Sequence, residues 1–152
     1  MLLQRSNGAP FAAGATEYQY RPATERETTP RITVEVEIAG LRLTAFVDTG
    51  GIYFICPSSI EHHLGLDFAD SVGQDRLVLR NRTIQGSLYR IPLTILASEG
   101  EEVTINATAF VPQDAYLDWG EFPCILGMQG CLERIRFAVD PQNEIFYFGE
   151  LS

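Results

Sequence analysis

The sequence predicts a mostly β domain with two short helices. Three observations carry that reading. Ile32, Val34, Val36 and Ile38 alternate with Thr33, Glu35 and Glu37, the period-two pattern of a half-buried strand. Short apolar runs then recur along the chain, separated by turn residues. Only two short stretches, "PSSIEHHLGL" and the end of "CILGMQGCLERI", read as helical. The sum is closer to a barrel or sandwich than to a βαβ array.

In chain order, residues 1–29 are rich in Ala, Gly, Thr, Pro and mixed charge, and predict a loose arm. Residues 30–152 form the domain. "AGLR" after the first strand reads as a tight turn, and Leu41 to Val47 as the returning strand. In "PSSIEHHLGL", Pro57 suits the first helical turn and Gly65 the helix end. Arg76 to Leu79, Ile84 to Leu88, Ile91 to Leu96 and Val103 to Val111 read as strands, with turns at "RNRT", "YRIP" and "SEGEE". "PQDAYLDWGEFP" reads as a longer loop, and "RFAVD" and "EIFYFG" as a closing hairpin around "PQN".

Composition excludes several functions. The chain has 152 residues and a net charge of −9, which disfavours a nucleic-acid partner. All 11 basic residues are arginines; without lysine there is no Schiff-base chemistry and no lysine-bearing phosphate loop. Cys56, Cys124 and Cys131 are odd in number and form no CxxC pair, so neither a disulfide framework nor a zinc site is expected. They fit a reducing, cytoplasmic setting. No apolar stretch is long enough to cross a bilayer, and "MLLQRSNGAPFAAG" lacks the apolar core of a secretory signal. No membrane partner, metal or cofactor is expected.

The informative stretch is "AFVDTGGIYFICP", where Asp48 stands between two apolar runs. Asp-Thr-Gly-Gly is good turn chemistry, and a plain turn is the simplest reading. The apolar flanks place that turn inside the protein instead, where a carboxylate needs partners. A second apolar run ending in glycine, Ile125-Leu126-Gly127, lies downstream. Val47-Asp48-Thr49-Gly50-Gly51 followed by Ile125-Leu126-Gly127 resembles the paired signature of retropepsin-like aspartic proteases. The resemblance extends over roughly Arg31 to Gly149 and includes the helix after the motif and the closing hairpin. Gly51 departs from it, since the family usually has Ala there.

The resemblance implies a closed β-barrel of the acid-protease fold and an aspartic endopeptidase acting on peptide or protein substrates. It implies a homodimer, because the chain has one Asp-Thr-Gly where longer relatives carry two. Asp48 from each chain would then form a carboxylate pair sharing one proton. Thr49 would brace the two motifs with its hydroxyl, and Gly50 would let the backbone pass. Ile125, Leu126 and Gly127 would support the motif. A flap over the site is implied between the two motifs. The best candidate is "RLVLRNRTIQGSL", with its tip at Arg80, Asn81, Arg82 and Thr83, although a plain surface hairpin fits the same residues. The rival reading is a non-catalytic dimer of the same fold used for binding or assembly.

Other residues read more simply. Adjacent helical residues point about 100° apart, so His62 and His63 should not converge on one metal ion and fit a solvated face. Cys56 and Cys131 fit buried packing better than nucleophiles. Trp119 fits either a pocket wall or a loop anchor. Asp114, Asp118 and Glu121 fit a solvated acidic loop, and Asp140 a turn.

Overall fold

The computed structural model describes residues 2–79, 81–113 and 123–151. Fourteen strands are named here in chain order. Four short ones open the chain: β1 (Leu3–Gln4), β2 (Pro10–Ala12), β3 (Gly14–Glu17) and β4 (Gln19–Pro22). The long pair β5 (Pro30–Ile38) and β6 (Leu41–Ile52) follows, then β7 (Phe54–Ile55) and helix α1 (Ser59–Leu64). Next come β8 (Gly73–Leu79), β9 (Arg82–Ile95), β10 (Glu99–Gly100) and β11 (Val103–Pro112). The chain closes with β12 (Cys124–Gln129), β13 (Ile135–Asp140) and β14 (Ile145–Glu150). Single 3-10 turns lie at Phe68–Asp70 and Leu132–Arg134.

The main sheet runs β4-β5-β6-β12-β7-β11-β9-β8, and β5 also pairs with β9, so the sheet bends back toward itself. A second sheet runs β10-β3-β14-β13. The alternation in β5 holds from Val34 onward, where Val34, Val36 and Ile38 are buried and Glu35 is exposed; before it Thr33 is buried, its hydroxyl donating to the Gln19 carbonyl, and Ile32 is only half-buried. Ala39 and Gly40 both have positive φ, which gives the two-residue turn that keeps Ile38 opposite Leu41. The core gathers the inward residues of β5, β9, β11 and β12 with Phe146 and Phe148 from β14. Burying each such side chain contributes about 1.5–3 kcal/mol.

Helix α1 ends as its sequence suggests. Gly65 adopts φ 65°, and the Gly65 and Leu66 N–H groups donate to the carbonyls of His62 and Glu61. Pro57, however, precedes the N-cap Ser58 and lies outside the first turn.

Four expectations change. Residues 10–22 are not a loose arm. There β3 pairs with β14 and β10, β4 pairs with β5, and Ala12, Ala15 and Tyr18 are buried. "YRIP" is not a turn, because β9 runs unbroken along β11 from Gly86 to Ile95. Its other edge carries β8 up to Leu88 and β5 from Thr94, so Pro92 falls in the gap where no N–H is needed. The second helix is a 3-10 turn of three residues. Buried Leu132 and the Arg134 guanidinium, bonded to the Asn106 carbonyl and Thr108 Oγ1, pin it to β11 just before β13 begins. Finally, β6 does not stop at Val47 but continues to Ile52. The acidic loop with Asp114, Asp118, Trp119 and Glu121 lies outside the described residues, as does Arg80.

Candidate active site

Asp48 sits where β6 meets β12. The two strands run parallel, with Phe46 opposite Ile125, Val47 opposite Leu126 and Asp48 opposite Gly127. Pairing resumes at Ile52 opposite Gln129. Thr49, Gly50 and Gly51 therefore face a single residue, Met128, and the chain bulges out at the Asp-Thr-Gly-Gly motif. Asp48 is half-buried, while Thr49 and Gly50 are exposed on the single chain. Asp48 Oδ1 accepts a hydrogen bond from the Gly50 N–H at 3.2 Å, so the turn chemistry read from the sequence operates inside a longer strand.

Gly127 permits this junction. A Cβ there would lie 2.5 Å from the Tyr53 carbonyl oxygen and 2.7 Å from Ile52 backbone atoms. Its N–H donates to that same Tyr53 carbonyl at 2.8 Å, and the Tyr53 N–H donates to Gln129 O at 2.7 Å. The β12 strand is thus threaded between the two halves of the chain around Asp48, parallel to β6 and antiparallel to β7. Gly51 has a different role. A Cβ there would meet Asp48 Oδ2 at 3.0 Å and Cγ at 3.2 Å, so the missing methyl group gives the carboxylate room.

Strand alternation divides the neighbourhood. Ala45 and Leu126 face the main core, whereas Phe46 and Ile125 face a second, smaller apolar cluster. Asp48, two residues from Phe46 on β6, shares its side of the strand. That cluster also holds Ile84, with Leu77, Leu79 and Leu88 packed on it, all from the β8–β9 hairpin. The candidate flap therefore packs on the same face as Asp48. Leu79 pairs with Arg82 at the end of the hairpin, and Asn81 has φ 64°. Arg82 and Thr83, placed by the sequence reading at the tip, already belong to β9, and both are exposed.

Three further residues join the site. Tyr53 has φ 67°, stacks parallel to Phe110 with centroids 6.4 Å apart, and donates its hydroxyl to Asp75 Oδ2 at 2.6 Å. Burial, followed by this bond to the Asp75 carboxylate, pushes the Tyr53 phenol up to about 12. The Tyr53 hydroxyl, followed by the Arg76 N–H, lowers the Asp75 carboxyl. Arg31 lies with its guanidinium carbon 4.8 Å above the Phe46 ring. The Phe46 position is legible from two-residue spacing to Asp48. The Tyr53–Asp75 pair joins residues 22 apart and leaves no local sequence signal.

The remaining candidates follow their simpler readings. His62 and His63 are exposed on α1. Cys56, Cys124 and Cys131 are buried free thiols; burial raises Cys56 strongly and the other two to about 12. Among the described residues no cluster of metal-ligating side chains occurs. Asp140 caps the closing hairpin, accepting from the Gln142 and Asn143 N–H groups and from Asn143 Nδ2.

The crystal structure of a retropepsin-like aspartic protease from Rickettsia conorii matches this architecture with a TM-score of 0.53 at 17% sequence identity. The match covers 88% of this chain and 97% of that one. The chain has the retropepsin-like fold. No family model matches the sequence, and no curated protein matches it. Within the retropepsin-like fold, Phe46-Val47-Asp48 pairs in register with Ile125-Leu126-Gly127, although 79 positions separate Asp48 from Gly127 (127 − 48). No helix among the described residues is long and apolar enough to cross a membrane.

Proposed function

We propose that this chain is an aspartic endopeptidase of retropepsin type, built as a closed β-barrel and active as a symmetric homodimer. The observation that carries the reading is the pairing of Asp48 with Gly127, with Thr49–Gly51 bulged from the strand and Thr49 and Gly50 exposed, in a retropepsin-like fold. A twofold axis beside the exposed bulge brings each Asp48 near its own copy. Thr49 then braces the two motifs, and the β8–β9 hairpin with Asn81, Arg82 and Thr83 covers the cleft.

The two carboxyl groups share one proton. The ionised one takes a proton from water, and the water oxygen attacks the peptide carbonyl carbon. The protonated one donates to the carbonyl oxygen, giving a tetrahedral diol. Breakage of the C–N bond, with proton delivery to the nitrogen, releases an amine and an acid. The reaction uses no covalent enzyme intermediate.

Replacing Asp48 by Asn tests this directly. An amide cannot serve as the base, so cleavage of a peptide library should fall by about 10²- to 10⁴-fold or more. Stability should change by less than about 1 kcal/mol, since Asp48 is only half-buried. Unchanged cleavage by the folded variant would refute the assignment.

A further inference from the structure

We propose that Tyr53 is a positioning residue that tethers the β8–β9 hairpin to the β6–β12 junction at Asp48, through its hydrogen bond to Asp75. For its effect on catalysis, this inference rests on the peptidase reading above.

Tyr53 lies between β6 and β7 and is anchored at both ends of the residue. Its backbone N–H and carbonyl bond to Gln129 and Gly127, so the main chain is fixed at the junction where Gly127 faces Asp48. Its φ of 67° is a conformation that a non-glycine residue rarely adopts. Residues in such regions persist where their surroundings over-determine them, and they concentrate at functional sites. Its side chain then crosses to the hairpin. The ring lies parallel to Phe110, and the hydroxyl reaches Asp75 Oδ2 at 2.6 Å. The second oxygen of Asp75 accepts from the Arg76 N–H at 2.7 Å, which orients the carboxylate. Asp75 is in β8, the outer strand of the hairpin and the last strand of the main sheet. An edge strand has one neighbour only, and a charge-assisted bond to the Asp48 junction limits how far it swings.

A hairpin over a cleft contributes binding energy only in its covering position. Losing the tether lowers the share of molecules in that position and weakens substrate binding. The groups that transfer protons stay where they are. The signature is a raised KM with kcat nearly unchanged.

The test combines hydrogen exchange and peptide-cleavage kinetics on the full chain, comparing wild type with Tyr53→Phe, Asp75→Ala, Asp75→Asn and the double variant Tyr53→Phe/Asp75→Ala. Tyr53→Phe keeps the stack on Phe110. Asp75→Asn keeps an oxygen that accepts from the hydroxyl. Tyr53→Phe and Asp75→Ala should each speed exchange in residues 73–88 and raise KM, both on the order of tenfold. Exchange in β13 and β14 should stay as in wild type. The double variant should be no worse than either single one, and Asp75→Asn, which keeps one acceptor oxygen but loses the charge, should lie between wild type and Asp75→Ala. Unchanged exchange in the hairpin, or additive effects of the two substitutions, overturns the tether. Faster exchange with unchanged KM overturns its role in binding. If wild type cleaves no peptide, the peptidase reading fails while the exchange data still decide the tether. If Tyr53→Phe fails to fold, the contrast between Asp75→Ala and Asp75→Asn decides it.

Discussion

A methyl group at residue 127 has nowhere to go. The atoms that a Cβ would meet, at 2.5 and 2.7 Å, belong to the Tyr53 and Ile52 backbone, which is held by its own hydrogen bonds. Gly127→Ala should therefore cost about 3 kcal/mol or more, or prevent folding, as read by urea denaturation. Gly51→Ala should behave differently, because its first contact is the Asp48 carboxylate, a side chain that can rotate. The fold should survive with kcat reduced as the carboxylate shifts, and unchanged kinetics would show that the spare room has no catalytic role. At this scale the sequence was informative about identity and less so about environment. Asp48 and Gly127 stand out by their apolar flanks. The reason for Gly51 emerged only from the distance to Asp48. Tyr53 gave no sign, because its positive φ is imposed by partners far along the chain.

Strands near the N-terminus show why pattern reading has limits. Residues 10–17 are mostly small, with no alternation to mark a strand, and β3 pairs with β14, about 130 positions away. Such pairing is imposed by tertiary contact, not by local preference. Deleting residues 1–22 should uncover the β14 edge beside Phe146 and Phe148 and cost at least about 3 kcal/mol, measured by urea denaturation. A truncated chain as stable as the full one would contradict the pairing. The long alternating strands and the closing hairpin were legible because their own residues encode them. "YRIP" misled because Pro92 occupies a stretch of β9 with a free edge. The β8–β9 hairpin also has a pH signature. The lowered Asp75 carboxyl stabilises the fold above its ordinary range near 4, and that contribution disappears as pH falls through its lowered folded value. The raised Tyr53 phenol contributes below its ordinary value near 10, and that contribution is lost as pH rises through about 12. The difference in urea midpoint between wild type and Asp75→Ala should thus be flat from about pH 5 to about pH 9 and shrink in acid.

The whole molecule poses a question of number. One chain supplies one Asp48 at an exposed bulge, and one carboxyl group cannot be base and acid in the same step. The mostly β class and the retropepsin-like fold were legible from two motifs and a series of short strands. The dimer rests on the single motif and on what symmetry would do with it. Activity should follow a bell in pH, since the pair works only when singly protonated. It should also fall when the protein is diluted below its dimer dissociation constant. The most direct test mixes wild type at fixed concentration with increasing Asp48→Asn protein. If each chain donates one aspartate, mixed dimers are inactive, and activity per wild-type chain should fall toward zero as the variant reaches large excess. Activity that stays constant while sedimentation shows mixed dimers would contradict a shared catalytic pair.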